Sequence, residues 1–335
     1  MRNPLSKKII GIEPSGIRKF FDIVSEMPDA ISLGVGEPDF DTPWNVREEG
    51  IYTLEKGRTF YTSNAGLKEL REEISRYVNR KYDLHYDPMH EIFVTVGGSE
   101  AIDVALRCMT DPGDEVLIPQ PSYVSYLPCA VMADAVPVPI ELKAENDFKL
   151  TKEQLLSSIT EKTKILVLPY PNNPTGALYP REVLQQIVDI AREHHLIIFS
   201  DEIYDRLVMD GAEHISIASM APDLFCVTFS GLSKSHMIAG FRIGWMILSG
   251  NKAVAKDYIE GIKMLSNMRL CSNVPAQSIV QTALGGHQSV ESYIVPGGRI
   301  YEQREYIYNA LTDIPGISAV KPQAAFYMFP KIDTK

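Results

Sequence analysis

A lysine and an arginine follow one apolar run of the chain, and both side-chain types suit the binding of a phosphorylated carbonyl compound. Lys234 lies among small residues in SGLSKSH, and Arg242 follows eight residues later in GFRIG. Burial lowers the pKa of a lysine and frees its amine to attack carbonyl groups. An arginine neutralises phosphate through paired hydrogen bonds. Taken alone, Lys234 could be a surface lysine and Arg242 could be a structural arginine.

Two further groups offer an anion site and a buried acid. Gly97 and Gly98 precede Ser99 and Glu100 at the start of a predicted helix, where free N–H groups and a serine hydroxyl bind anions. A tight turn with an ordinary serine cap is the alternative. Asp201 ends the run LIIFSD, and a carboxylate there is unfavourable unless a cation or a donor meets it. A solvated acid at a strand end is the alternative.

The fourth group is PNNPTG at 171–176, which taken alone indicates a turn. The bond between Asn173 and Pro174 could be cis. Together the four groups suit one ligand, which is an aromatic phosphate ester with a carbonyl for the lysine and a basic ring nitrogen for the aspartate. Pyridoxal 5′-phosphate (PLP) meets this description.

Short apolar runs alternate with amphipathic segments, and this pattern predicts the elements that position these groups. Six runs are predicted strands, at 91–98, 115–119, 163–171, 196–202, 224–230 and 241–248. Helical spacing between them, as after Pro180, indicates βαβ units and a mostly parallel sheet covered on both faces. Ligands of such sheets bind outside the carboxyl ends of the strands, where all four groups lie.

The chain changes character after Gly250, which predicts its domain organisation. Residues 251–313 have the pattern of successive helices, and the end, ISAVKPQAAFYMFPKID, is strand-like again. We expect a large α/β domain over 31–289, a connecting helix over 290–312 and the start of a small α+β domain over 313–335. Residues 1–30 are expected to join the small domain.

Composition excludes several classes of protein. The 335 residues are 45% apolar and 23% charged, which is unlike a disordered, collagenous or coiled-coil chain. Acids outnumber bases 43 to 33, which disfavours nucleic-acid binding. The four cysteines form no CxxC pair, so we expect reduced thiols and no metal site. The absence of a long apolar stretch predicts no secretory signal and no membrane span, and hence a cytoplasmic protein.

The order of these motifs resembles the fold-type I PLP-dependent aminotransferases of class I and II, over residues 32–333. The resemblance is carried by SLGVGEPDF, FYTSNAGLKELREEI, TVGGSEAIDVAL, PQPSYVSY, PYPNNPTGALY, SDEIYDRL and SGLSKSHMIAGFRIGW. From about residue 165 the chain is similar to bacterial glutamate–pyruvate (alanine) aminotransferases. The resemblance implies a seven-stranded sheet and ping-pong transfer of an amino group between an L-amino acid, with alanine favoured, and 2-oxoglutarate or pyruvate.

The resemblance also implies a role for each matching residue. Lys234 would hold PLP covalently and carry the proton, and Asp201 would pair with the pyridine nitrogen. Tyr204 and Asn173 would hydrogen-bond the phenolic oxygen of the ring. The other implied contacts are Tyr123 on the ring face, Gly98, Ser99, Glu100 and Arg242 at the phosphate, Gly36 and Asn173 at the substrate, and Tyr61 at the phosphate of a neighbouring subunit. The role of Tyr61 implies a homodimer with shared active sites.

The chain departs from the family pattern at three places, and other activities of the same fold stay open. Gly231 stands where many relatives have a serine, and Met237 is bulkier than the usual residue. The arginine that binds the substrate carboxylate in the family lies in a continuation beyond Lys335, so we expect a truncated chain. The alternatives are an aspartate or aromatic aminotransferase, a PLP-dependent β-lyase, and a PLP-binding sensor without catalysis.

Overall fold

A seven-stranded sheet forms the centre of the protein. The computed structural model describes residues 5–12, 16, 20, 23–24, 26–27, 29–31, 33 and 36–333. The strands are β1 (Ile92–Val96), β2 (Glu115–Gln120), β3 (Val136–Glu141), β4 (Thr163–Pro169), β5 (Ile197–Asp201), β6 (Cys226–Gly231) and β7 (Ile243–Ser249). Their order is β1-β7-β6-β5-β4-β2-β3. Neighbouring strands are parallel except at β7, which is antiparallel to β1 and β6, and this confirms the predicted sheet.

Helices cover both faces of the sheet and continue beyond it. They are α1 (Lys7–Ile10), α2 (Trp44–Glu55), α3 (Lys68–Tyr82), α4 (Gly98–Met109), α5 (Tyr126–Met132), α6 (Lys152–Ser158), α7 (Arg181–Glu193), α8 (Ile217–Met220), α9 (Leu232–Ser235), α10 (Lys252–Arg269), α11 (Val274–Ser278), α12 (Val280–Gly285), α13 (Val290–Tyr293) and α14 (Arg299–Thr312). Within the described part of the chain, no helix is long and apolar enough to cross a membrane.

Alternating side chains of the strands build two cores on opposite faces of the sheet. On β2, Val116 and Ile118 belong to the core beneath α4 and α5, and Leu117 belongs to the core beneath α6 and α7. This follows from the period of two in a strand, which sends successive side chains to opposite faces. Because both faces are buried, the strands are continuous apolar runs rather than alternating ones, and this made most of them predictable.

Strand β3 is the one strand of the sheet that the apolar pattern does not reveal. Its sequence is VPVPIE, with Pro137 and Pro139, and most of its residues are partly or fully exposed. It pairs only with β2 and forms an edge of the sheet. Proline lacks an N–H donor, so within sheets it is confined largely to edge strands, where one side of the ladder needs no donor.

The helix predicted over 290–312 is interrupted in the structure. It is two helices, α13 and α14, because VPGG at 295–298 lies between them and its proline and glycines do not favour continuation. After α14 the chain forms a two-stranded antiparallel sheet of β8 (Ile317–Ala319) and β9 (Pro330–Ile332). The predicted domain limits stay predictions.

The described part of the N-terminal segment contacts the large α/β unit. Helix α1 lies beside α5, where the Lys8 ammonium is 2.5 Å from a carboxylate oxygen of Asp134. The predicted association of residues 1–30 with the small domain falls partly on residues outside those described.

Candidate active site

Lys234 lies in α9, which begins where β6 ends. Its Nζ donates a 2.5 Å hydrogen bond to the carbonyl oxygen of Gly36, in an extended segment that precedes α2. Burial lowers the pKa of the Lys234 amine; Glu37 opposes this, and the charge of Arg242 adds to it. The amine is thus half-buried, with an increased share of the neutral form that attacks carbonyls.

The position of Gly231 before this helix has a steric reason. A Cβ added there would lie 2.6 Å from the carbonyl oxygen of Ile243 and 3.0 Å from Cα of Gly244, both in the backbone of β7. Only glycine fits at this distance without moving the neighbouring strand. The departure from the serine of many relatives therefore follows from close packing between β6 and β7.

Asp201 is the last residue of β5, the parallel neighbour of β6. Its Oδ2 accepts a 2.6 Å hydrogen bond from the hydroxyl of Tyr126, and its Oδ1 accepts one of 3.2 Å from the backbone N–H of Ile203. Burial raises the pKa of Asp201, and these two hydrogen bonds oppose the rise. Among the described residues its hydrogen-bond donors are neutral, so a cationic group of a ligand would suit this carboxylate.

The predicted phosphate group is assembled from α4 and the segment before β7. Gly97 has a left-handed φ of 77°, and α4 begins directly after it at Gly98. Arg242 brings Nη2 to 3.4 Å from the hydroxyl oxygen of Ser99. Glu100 turns back to accept a 2.6 Å hydrogen bond from the N–H of Val96. The helix N-terminus and the guanidinium together form an anion site.

The alternative in which Ser99 is an ordinary helix cap does not hold. The N-cap position is Gly97, with no side-chain hydrogen bond, and Ser99 lies in the first turn of α4. Its hydroxyl meets Arg242 instead. The physical reason is that the glycine backbone turns sharply enough to start the helix two residues earlier, which leaves the serine free to face the anion site.

Gly244 is a residue of this site that the sequence analysis missed. It pairs with Thr95 across β7 and β1. A Cβ added to Gly244 would overlap the backbone of Gly97 and Gly98. The turn that starts α4 therefore rests directly on the β7 backbone, and this contact sets its position.

Aromatic rings surround the lysine and the aspartate. Tyr123 meets Tyr126 edge to face with ring centroids 5.5 Å apart, and Tyr126 in turn binds Asp201. Tyr204 is buried, with its ring centroid 6.0 Å from Nζ of Lys234 and its hydroxyl oxygen 2.5 Å from that of Tyr327. The structure thus groups Lys234, Asp201, Tyr123 and Tyr204 at one edge of the sheet.

Two predicted site residues are not tied to this group. Asn173 is half-buried in the turn after β4, and its bond to Pro174 is cis. Tyr61 is 83% exposed. In the described part of the chain, neither side chain forms a hydrogen bond with another predicted site residue. The role of Tyr61 was expected to involve a second subunit.

A buried polar network lies behind the site, immediately after Asp201. Oε1 of Glu202 accepts hydrogen bonds from two serine hydroxyls and from a backbone N–H, and Nε2 of His214 lies 3.7 Å from its Oε2. Burial raises the pKa of Glu202 to about 8 and lowers that of His214 to about 3. Burial opposes ionisation of Asp205 as well, but Lys81, His214 and the hydroxyl of Tyr82 together outweigh it and lower the pKa of Asp205 to about 2. Within this network, Nζ of Lys81 forms a salt bridge with Oδ2 of Asp205 at 2.8 Å.

Tyr126 and Tyr327 were also missed, for different reasons. Tyr126 lies three residues after the predicted Tyr123, in the same short segment. A spacing of three residues brings side chains to the same side of a helical turn, so it could have indicated that Tyr126 also faces the site. Tyr327 lies 123 residues from its partner Tyr204, in strand-like sequence without a polar pattern. No local feature indicates that its hydroxyl reaches the site.

The residues present fit PLP. The anion site at Ser99 and Arg242 suits its phosphate, and the half-buried Lys234 amine suits its aldehyde. The buried carboxylate of Asp201, with only neutral donors among the described residues, suits a protonated ring nitrogen. Each observation comes from a different element, and all three lie at the edge of the sheet where β1, β5 and β6 end.

Comparison with known proteins agrees with this geometry. The family described as Aminotransferase class I and II matches residues 28–335. The chain is 41% identical to the glutamate-pyruvate aminotransferase AlaA of Escherichia coli K12, over all of this chain and 80% of that protein. It is 42% identical to the alanine aminotransferase of Mycobacterium bovis, over 90% of this chain and 71% of that protein.

Solved structures show the same similarity. A crystal structure of an aminotransferase from Escherichia coli superposes with a TM-score of 0.94 at 40% identity, covering 99% of this chain and 84% of that one. The alanine aminotransferase from Pyrococcus furiosus superposes with a TM-score of 0.93 at 34% identity, covering 99% of this chain and 85% of that one.

Proposed function

The chain belongs to the class I and II aminotransferases, which are PLP-dependent, and we propose that it moves an amino group between L-alanine and 2-oxoglutarate or between other L-amino acids and pyruvate. The observation that carries the chemistry is the placement of Lys234 and Asp201 after β6 and β5, two parallel neighbours in the sheet. The preference for alanine is supported by the names of the relatives that are 41% and 42% identical to the chain over the aligned residues.

When bound, PLP supplies an aldehyde for the substrate amine and a ring that accepts the electron pair left by the α-proton. The Lys234 amine, with its lowered pKa, would hold the cofactor and would be placed to take the substrate α-proton and return it. Asp201 would stabilise a proton on the ring nitrogen, and Tyr204 and Asn173 would hydrogen-bond the phenolic oxygen. Arg242 and the N-terminus of α4 would bind the phosphate.

A panel of amino donors against pyruvate and 2-oxoglutarate tests the reaction. We expect alanine with 2-oxoglutarate to have the highest kcat/KM and the initial rates to give parallel double-reciprocal lines, as for a ping-pong mechanism. The amino group must appear in the product amino acid. Release of ammonia and pyruvate from β-substituted amino acids would instead support the β-lyase, and higher kcat/KM with aspartate or aromatic donors would support those aminotransferases.

Borohydride reduction followed by peptide mapping tests the role of Lys234. We expect the reduced cofactor on the Lys234 peptide, and its loss together with turnover in Lys234→Ala. Lys331→Ala is the matched control, because Lys331 is an exposed lysine of the same chain. Label on any other lysine would contradict the assignment.

We also propose a homodimer in which Tyr61 reaches the phosphate site of the second copy. Phe60 and Tyr61 are more than 80% exposed, and Trp44 of α2 is 69% exposed. The Tyr61 segment is tied to the end of α10 by a 3.0 Å hydrogen bond between Asn64 and Asn267, beside exposed methionines of that helix. Large exposed apolar surfaces of this kind mark association sites. A cytoplasmic location is part of the same proposal.

Complementation between inactive variants tests the shared site. Tyr61→Ala and Lys234→Ala, mixed after mild dissociation, should regain part of the activity, because a hybrid dimer contains one intact site. Light scattering should give twice the monomer mass. A monomer at micromolar concentration, or a mixture that never regains activity, would contradict the shared dimer.

A further inference from the structure

His236, two residues after Lys234, is buried and is fixed by hydrogen bonds at both of its ring nitrogens. It is 3% exposed. Its Nε2 lies 2.9 Å from the carbonyl oxygen of Ala283 in α12, and its Nδ1 lies 2.8 Å from the hydroxyl oxygen of Ser235. The imidazole therefore joins the turn that carries Lys234 to a helix 47 residues further along the chain.

These contacts determine which ring nitrogen carries the proton. The carbonyl oxygen of Ala283 can only accept, so Nε2 of His236 donates, and the lone pair of Nδ1 accepts from the Ser235 hydroxyl. Burial and the charge of Arg206 lower the pKa of His236 to about 4, which keeps the ring neutral near neutral pH. Both residues that directly follow Lys234 are thus held through one neutral ring.

The carbonyl group that accepts this bond belongs to a fixed helix end. Ala283 is buried in the core that α12 forms with α3, β1 and β7. Carbonyl groups in the last turn of a helix lack a partner within the helix, and Nε2 of Gln288 donates to the same carbonyl oxygen at 2.8 Å. Arg206 in turn donates to Oε1 of Gln288. Because Arg206 lies two residues after Tyr204, the segments carrying Tyr204 and Lys234 are held at one helix end.

Helix α9 depends on contacts of this kind because it is a single turn. It has four residues, Leu232–Ser235, and Met237 shortly after it has a left-handed φ of 57°. A single turn gains little stability from its own hydrogen bonds, and a left-handed backbone is unfavourable at a residue other than glycine. Packing and hydrogen bonds from other elements must therefore hold the turn, and His236 supplies one of these bonds.

We propose that His236 is a positioning residue for Lys234, which holds α9 against α12 so that the lysine amine stays half-buried at the cofactor site. The inference rests on the proposed function, in which Lys234 holds PLP. Without the hydrogen bond to Ala283 the turn gains freedom and water reaches the amine. Its pKa then returns toward the ordinary value for lysine, and the amine is presented less often to the cofactor aldehyde.

Two substitutions separate the hydrogen bond from the volume of the ring. His236→Phe keeps an aromatic ring but loses the donor to Ala283, whereas His236→Gln keeps an N–H donor on a side chain of similar length. The pKa of Lys234 is measured in the whole chain without PLP, by competitive acetylation across pH and mass spectrometry of the Lys234 peptide. We expect it to rise by about one pH unit in His236→Phe and to stay within about 0.3 pH units of the original in His236→Gln.

Uptake of the cofactor gives a second measurement. The rate constant for PLP uptake, followed by absorbance, should fall about tenfold or more in His236→Phe and stay within about twofold of the original in His236→Gln. Tyr179→Phe is the matched control, because it removes a buried hydrogen bond to Leu150 in the other core and should change neither quantity. If His236→Phe does not fold, His236→Leu, which also lacks a donor, takes its place.

The outcomes separate this inference from the proposed function. Absence of covalent PLP on Lys234 of the original protein would overturn the proposed function, whereas a raised Lys234 pKa in His236→Phe alone would still support the inference. A folded His236→Phe or His236→Leu variant with an unchanged Lys234 pKa would overturn the inference, whatever its rate of PLP uptake. An equal rise in His236→Gln would also overturn it, because ring packing rather than the hydrogen bond would then hold the turn.

Discussion

The hydroxyl of Tyr126 donates a 2.6 Å hydrogen bond to Oδ2 of Asp201, and both side chains are buried. Burial favours the neutral form of a carboxyl, whereas a hydrogen bond donated to the carboxylate favours the charged form. The two effects act against each other at Asp201, whose pKa is raised by burial and lowered by this bond. Tyr126 is therefore a positioning residue that orients Asp201 and favours its charged form.

Tyr126→Phe should move the acidic limb of the pH profile to higher pH. Removal of the donor raises the pKa of Asp201 further, so the carboxylate loses its charge at a higher pH than before. We expect the acidic limb of kcat/KM to shift upward by about one pH unit, equivalent to about 1.4 kcal/mol. The measurement is kcat/KM for the amino donor across the acidic range.

Tyr179→Phe is the matched control for this experiment. Tyr179 is also buried, and its hydroxyl oxygen accepts a 3.1 Å hydrogen bond from the N–H of Leu150, in the core on the other face of the sheet. Loss of the Tyr179 hydroxyl should lower the free energy of unfolding without moving the acidic limb of kcat/KM. An equal shift in both variants would show that the effect is structural and would contradict the role given to Tyr126.

Gly244→Ala should weaken PLP binding, because the added Cβ overlaps the backbone at the start of α4. The turn at Gly97 and Gly98 must then shift relative to Arg242, which distorts the anion site. We expect the dissociation constant for PLP to rise about tenfold or more, equivalent to about 1.4 kcal/mol. Equilibrium titration of the apoenzyme with PLP measures it.

The control for that substitution is Gly240→Ala, two residues before Arg242. A Cβ added to Gly240 meets nothing within 4 Å. PLP affinity should stay within about twofold of the original. Comparable weakening by both alanines would mean that general flexibility of the segment, rather than contact between β7 and α4, sets the anion site.

The sequence predicted those parts of the site in which a polar residue ends an apolar run. Asp201 and Lys234 were predictable because a buried strand is a mainly apolar segment, and the charged residue at its end or shortly after it marks the edge of the sheet. Six of the strands were visible for the same reason. Strand β3 was not, since its two prolines and exposed residues match an edge strand that lacks the apolar pattern.

The missed contacts are those made between distant segments. Tyr327 meets Tyr204 across 123 residues, and Gly244 meets Gly97 through backbone contact alone. Neither contact leaves a local period, cap or charge pattern in the sequence. Such residues are selected by close packing in the folded state, which periodicity does not encode.

Glu202→Gln should change how stability depends on pH. The pKa of Glu202 is raised to about 8 in the fold, mainly by burial, so the folded state keeps a proton that the unfolded chain releases above its ordinary pKa. Stability contributed by this proton is fully present below that ordinary pKa and is lost as the pH rises toward 8. The contribution of Glu202 to the free energy of unfolding should therefore decrease across this window by up to about 1.4 kcal/mol per pH unit.

In Glu202→Gln this decrease should be absent, because the amide cannot ionise and its oxygen can still accept from Ser200 and Ser216. Urea unfolding from about pH 5 to about pH 8 measures the difference in slope. Glu161→Gln, at an exposed glutamate, should leave the slope unchanged. Identical slopes in Glu202→Gln and the original protein would mean that Glu202 is ionised throughout.

Arg304→Met should destabilise the segment that leads to Tyr327. The buried guanidinium of Arg304 donates to both carboxylate oxygens of Asp210 at 2.6 and 2.7 Å and to the carbonyl oxygen of Pro322 at 3.2 Å. It therefore joins α14 to the loop after Tyr204 and to the C-terminal segment. Breaking a fully buried pair costs about 3–5 kcal/mol, and because Asp210 is 39% exposed we expect about 2 kcal/mol.

Arg192→Met is the control, because Arg192 makes the same kind of paired contact with Asp223 at 2.6 and 2.9 Å on the surface. Both side chains of that pair are at least 40% exposed, so its loss should cost less than about 1 kcal/mol. Urea unfolding measures both values. Equal destabilisation by the two variants would show that burial adds nothing to the Arg304 pair.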